Sequence, residues 1–386
     1  MAAKRRKPVL PLSPRPKRIP SARPIEHLLR HDSALAVALK EAVKRFAKLP
    51  GVCGIGIGRP FSEEKGSYRG EGFAIKVSVL EKRGGEEIPP EERIPKTLLV
   101  EDAETGARRR ICVDVVEVGE IRQADAETRP FPSSGALRSG RLFAFKVPPP
   151  APGTLLPSRV EVGTVGAILR AKGGQVVVVS AGHVFVDTCR GVFDAPDTST
   201  AVGCNGRTWV EIPAGSYSPI SIRPGTIVED CLALVPPNAL IATSRYGWPP
   251  GFKGEVVEDD DVTRALSSDA ECGFVWVERG AGIPTPIAID LESHEQSFRA
   301  SLRCGDTLRS MRYGFVWRCR FTTPITTTGG DSGSPVFLTT ESGPRLLGFH
   351  FFESEQKNAC YLCDARLFFR RHVGEPGRDF VFPLDS

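Results

Sequence analysis

Residues 326–337 read Thr-Thr-Thr-Gly-Gly-Asp-Ser-Gly-Ser-Pro-Val-Phe, and no other stretch of the chain constrains its reading as much. Ser332 lies between Asp331 and Gly333 on a glycine-rich turn, which exposes a hydroxyl. Glycines let the backbone bend until successive N–H groups converge on one point. In acyl transfer that point is where a tetrahedral oxyanion develops, and Gly330 N–H and Ser332 N–H would be its two donors.

A serine hydroxyl becomes a useful nucleophile only beside a base. His183, in the segment Val177 to Phe185 (VVVSAGHVF), ends an apolar run and follows a small-residue approach. A buried carboxylate must then hold the imidazole in one tautomer. Asp230, in Val228 to Leu234 (VEDCLAL), begins an apolar strand and suits that role. Asp187 is four residues from His183 and poorly placed to reach behind the ring, and Glu229 should face the other side of its strand.

SAGHVF, EDCLALV and GGDSGSPVF, in this order, resemble the three signature segments of the chymotrypsin-like (trypsin-fold) serine peptidases, over roughly residues 159–386. The resemblance implies a mostly β fold with a double six-stranded β-barrel. It also implies that Ser332 attacks a peptide carbonyl, that His183 takes and returns the proton, and that Asp230 orients His183. Asp331 is then structural. In that family the strand after the nucleophile, here Leu346 to Phe352, walls the specificity pocket. Thr326, Thr327, His350 and Phe351 thereby become candidate substrate-binding residues. The TTGGDSGSPV and GFH segments are similar to those of glutamate-specific endopeptidases of the staphylococcal V8 type, and viral 3C proteases use a similar histidine for Gln. Together they imply Glu or Gln at P1, although Glu353 would repel an acidic side chain. The alternative is a catalytically silent protease-like scaffold that binds a partner through an N-terminal module and a basic tail.

Upstream, residues 33–49 (SALAVALKEAVKRFAKL) predict a helix, with Leu35, Leu39, Val43 and Phe46 on one face and Asp32 or Ser33 as its cap. Val52–Gly58, Gly72–Leu80 and Arg110–Val118 read as strands. The glycines of GVCGIGIG have the wrong spacing for a phosphate loop and predict a strand packed closely on the helix. A small α+β domain over 31–122 follows, and it resembles the module ahead of the peptidase in bacterial and plant Nal1-like trypsin-fold proteins. Residues 123–158 are rich in Pro, Gly and Ser and predict a linker before the peptidase domain at 159–386.

The chain has 386 residues, 40% hydrophobic and 25% charged, which are ordinary globular values. No apolar run reaches membrane-spanning length, and no apolar stretch follows the basic N-terminus, so a cytoplasmic protein without a signal peptide is expected. The ten cysteines then read as reduced thiols. Cys360-x-x-Cys363 alone has metal spacing, too little for a structural zinc site, and no metal or cofactor is expected. The net charge of +5 divides unevenly: residues 1–24 carry eight basic residues, no acid and six prolines, leaving −3 for the rest. Residues 1–30 therefore predict a disordered basic tail, the one place for weak contact with nucleic acid or an anionic surface. The expected partner is a protein or peptide substrate, and a homo-oligomer stays open.

Overall fold

Strands buried on both faces and one amphipathic helix build the first unit. A computed structural model describes residues 25–384 apart from 63–66, 69–71, 124–127, 131–135, 147–158, 172–173, 186–199, 204–209, 213–220, 224–225, 237–245, 269–270, 279–283, 305–306, 325–326, 355–357 and 374–379. The basic segment 1–24 lies outside the described residues. Helix α1 (Glu26–His31) begins inside the stretch expected to be tail, because Ile25 and Leu29 find apolar partners and are buried. Helix α2 (Ser33–Phe46) is capped by the Asp32 carboxylate, which accepts the Leu35 N–H at 2.9 Å. Its Leu35, Leu39 and Phe46 pack on one side of β1 (Val52–Gly58), where Ile55 and Ile57 point. Each such side chain contributes about 1.5–3 kcal/mol on leaving water. The hairpin β2 (Phe61–Ser62) and β3 (Ser67–Tyr68), then β4 (Ala74–Val79), β5 (Thr97–Glu101), β6 (Arg108–Glu117) and β7 (Arg122–Gln123) complete this unit.

The middle of the chain supplies β8 (Thr128–Pro130), β9 (Leu142–Lys146), β10 (Arg159–Thr164), β11 (Ala167–Ala171), β12 (Val176–Ala181), β13 (Thr200–Gly203), β14 (Val210–Ile212), β15 (Ser221–Arg223), β16 (Thr226–Glu229) and β17 (Cys231–Leu234). One sheet runs β14-β13-β9-β10-β8, and a second runs β17-β12-β11 and ends on the C-terminal strand Phe380–Val381. They enclose Phe143, Ile168, Val178, Val202, Ile212 and Leu234 in a common core. The last third supplies α3 (Asp259–Ser267), β18 (Gly273–Glu278), β19 (Pro284–Cys304), β20 (Thr307–Tyr313), β21 (Val316–Phe321), β22 (Pro335–Thr340), β23 (Gly343–Ser354), β24 (Ala359–Asp364), α4 (Ala365–Val373) and β25 (Phe380–Val381). Here β18, β22, β23, β24, β21 and β19 follow one another, and β18 pairs with β19 to close a six-stranded barrel. The fold is mostly β, with this barrel facing the two-sheet unit.

Two expected boundaries differ. The stretch 123–158 carries β8 and β9, and β9 pairs with both β10 and β13, so it is partly sheet rather than linker. The unit at 31–122 is not set apart either: β1 pairs antiparallel with β19 from Gly54↔Phe298 to Gly58↔Ser293. Its apolar residues join the barrel interior, including Val275, Ile289 and Leu338, in one cluster. The glycines of β1 serve this joint rather than the helix. A Cβ at Gly56 would strike the His294 backbone, and one at Gly58 the Glu292 carbonyl. Among the described residues no helix is long and apolar enough to cross a membrane.

Candidate active site

Strand pairing brings the first two candidates together. In the ladder between β12 and β17, Ala181 opposes Cys231. His183 lies two residues beyond Ala181, in the tight turn Gly182–Val184, and Asp230 lies one residue before Cys231. The turn is pinned by Gly182 N–H donating to the Asp230 carbonyl at 3.0 Å. Asp230 Oδ1 accepts the His183 backbone N–H at 3.1 Å, while Oδ2 lies 2.6 Å from Nδ1 of the ring. A carboxylate only accepts, so the imidazole proton belongs on Nδ1 and Nε2 presents a lone pair. Nε2 is 2.9 Å from Ser332 Oγ. Asp230 is 1% exposed and Ser332 2%.

The serine comes from the six-stranded barrel, on the turn between β21 and β22. Gly330 and Gly333 have φ of 88° and 93°, a region open to glycine at little cost. A Cβ at Gly333 would also strike the Ser180 hydroxyl and the Thr164 carbonyl. Thr164, at the end of β10, clamps the turn: its N–H donates to the Ser332 carbonyl at 2.8 Å and its hydroxyl to the Gly330 carbonyl at 2.9 Å. Ser180 Oγ in turn donates to the Thr164 carbonyl at 2.7 Å. The Asp331 carbonyl accepts Ser334 N–H at 3.0 Å, and a trans peptide then aims Ser332 N–H the opposite way. The Asp331 carboxylate is buried and accepts Thr328 N–H at 2.8 Å, so the turn is held by its own residues.

The expected specificity residues are distributed less simply. Thr326 lies outside the described residues, as does Asp187. Thr327 is buried and donates its hydroxyl to Glu353 Oε2 at 2.8 Å, a pairing the sequence reading did not foresee. His350 is fully buried and exchanges backbone bonds with Gly333 and Ser334, at 2.8 and 2.9 Å. Phe351 is buried against Tyr313 and Phe352, and the Phe352 ring stacks 6.3 Å from His183.

Behind Asp230, Cys231 Sγ of the two-sheet unit and Cys363 Sγ of the barrel meet at 2.9 Å without a disulfide between them. Cys360 sits on the other face of β24, opposite Cys319, so Cys360-x-x-Cys363 is not a joint ligand pair. Among the described residues no group of three or more His, Cys, Asp or Glu could hold a metal ion.

No known family profile and no curated protein matches the chain. Among solved structures it is similar to a Nocardiopsis protease, at 13% identity and a TM-score of 0.34, covering 62% of this chain and 97% of that one. It is also similar to the NS6 protease of murine norovirus 1, at 17% identity and a TM-score of 0.26, covering 49% and 80%. At such levels the functional reading rests on the geometry of the site.

Proposed function

We propose that the chain is a serine endopeptidase that cleaves protein substrates through an acyl-enzyme. The observation that carries this reading is the unbroken line from Asp230 Oδ2 to His183 to Ser332 Oγ, with steps of 2.6 and 2.9 Å. As Ser332 Oγ attacks the carbonyl, its proton passes to His183 Nε2. Asp230 stabilises the imidazolium, which then returns the proton to the leaving amine. Gly330 N–H and Ser332 N–H stabilise the oxyanion. Asp331 is already bonded to Thr328, which supports a site assembled without prior cleavage of the chain.

For P1, Thr327 and His350 remain the proposed readers, and Glu353 shifts the balance between Gln and Glu. A second carboxylate beside Glu353 would be repelled, whereas a Gln amide can donate to it. A peptide library read at P1 tests both levels. The expected result is cleavage after Gln in preference to Glu, absent in Ser332→Ala. Cleavage after Arg, Lys or large aromatics would refute the pocket assignment, and a folded chain that neither cleaves at any P1 nor takes a small fluorophosphonate at Ser332 would refute the peptidase reading.

A further inference from the structure

One edge of β23 carries three neighbours in succession. β22 pairs with it as far as Phe349. The turn bearing Ser332 takes over at His350, through Gly333 N–H and the Ser334 carbonyl. β7 then takes Phe352 and Glu353, in antiparallel register with Gln123 and Arg122. The opposite edge of β23 is filled by β24 from Gly348 to Ser354, so β7 shares its edge with the nucleophile turn. At about 3.3 Å per residue, β7 lies roughly 7 Å along the edge from the last contact of that turn. Antiparallel pairing also fixes its direction: from Arg122 to Gln123 the backbone heads towards Ser332.

A substrate has to present a carbonyl to Ser332 Oγ while lying extended, and an open strand edge binds extended peptide through main-chain hydrogen bonds. On β23 that edge is Phe351 to Ser354, next to the Phe352 ring that stacks on His183. β7 holds it firmly. Just upstream, Val118 N–H donates to the Val79 carbonyl at 2.8 Å and Gly119 N–H to the Leu80 carbonyl at 3.1 Å. The Ser354 hydroxyl of β23 donates to the Val118 carbonyl, and Val118 and Ile121 are buried. The N-terminal unit, locked to the barrel through β1 and β19, thus delivers β7 to this position.

We infer that β7 is an autoinhibitory strand, with Arg122–Gln123 taking the main-chain docking position of the substrate beside an already assembled Ser332. The inference rests on the peptidase reading. A protein substrate gains the edge only when β7 leaves it.

The test uses the full chain with Arg122→Pro/Gln123→Pro, since proline cannot donate to a ladder. Two rates are compared: labelling of Ser332 by a small fluorophosphonate without a peptide portion, and kcat/KM for an extended peptide. The expected result is at least a ten-fold rise in kcat/KM, with labelling changed less than two-fold. Unchanged or lower kcat/KM with labelling retained would overturn the autoinhibitory strand alone. No labelling of either folded protein would overturn the peptidase reading and the inference with it. A second measurement needs no variant. Occupying Ser332 of the unaltered chain with a peptidyl phosphonate should speed hydrogen exchange at the amides of 121–123 at least ten-fold, and unchanged exchange would overturn the inference.

Discussion

His183 and His294 are both imidazoles placed near acidic groups by β-structure, and they have become different chemical objects. His183 sits in a turn at the end of β12, with Asp230 on Nδ1 and Ser332 on Nε2. His294 sits in the middle of β19, between Ile57 of β1 and Trp317 of β21, with its ring edge-on to Trp317 at 4.3 Å. Neither of its ring nitrogens has a hydrogen-bond partner among the described residues. Burial pushes its pKa down to about 3, against a smaller opposing pull from Asp364, with Arg366 adding to the depression. Nearby Glu295 is also enclosed, and burial raises its carboxyl above the usual range despite Arg318, Ser293 and Ser78. Depth alone makes a neutral packing group. Proton transfer needs an acceptor on one nitrogen, a donor on the other, and a strand end where both can meet the ring.

The largest expected effect separates the two histidines by activity. Asp230→Asn should lower kcat about 10⁴-fold by favouring the wrong His183 tautomer, with the thermal midpoint little changed. Steady-state kinetics beside calorimetry would check this, and a loss below ten-fold would place His183 in the same class as His294.

Stability should report the other histidine. With a folded pKa below 6.5, His294 contributes stability that is present above pH 6.5 and lost as pH falls towards 3. The loss amounts to about 4 kcal/mol at 1.36 kcal/mol per unit. Glu295 acts in the opposite direction, since its raised pKa gives stability below 4.5 that is lost as pH rises through the folded value. Urea unfolding from pH 7 to pH 3.5 should therefore show an acid slope that flattens in His294→Phe. An unaltered slope would show that His294 is not held neutral.

Thr164 offers the smallest and sharpest contrast. Thr164→Val keeps the N–H to Ser332 and removes only the hydroxyl on the Gly330 carbonyl. We expect kcat to fall about ten-fold, or ~1.4 kcal/mol, at nearly constant KM, and Thr164→Ser to recover most of it. A change in KM alone would mean that Thr164 acts on binding rather than on the oxyanion turn.

The mostly β fold and the meeting of three polar side chains were legible in this chain, whereas the pairings between distant strands were not. Three short segments named Ser332, His183 and Asp230, because a glycine turn and two strand ends leave local marks. Val52–Gly58 was read with its observed bounds, since the alternating glycines and isoleucines are themselves a strand pattern. Its partner was hidden. Gly54 pairs with Phe298, and no local signal links residues that far apart. β5, β7, β8 and β9 escaped for a related reason: short strands take their identity from the edge they complete. The Thr327–Glu353 contact was equally invisible, because it depends on β23 passing beside the nucleophile turn.

The central claim is that the intact chain holds Ser332 armed by His183 and Asp230. It is tested most directly by reacting the unprocessed protein with a small fluorophosphonate and locating the adduct by mass spectrometry. Stoichiometric labelling at Ser332, abolished by Ser332→Ala and strongly slowed by His183→Ala, is the predicted result. A folded chain that takes no label, or a label that persists in Ser332→Ala, would contradict it.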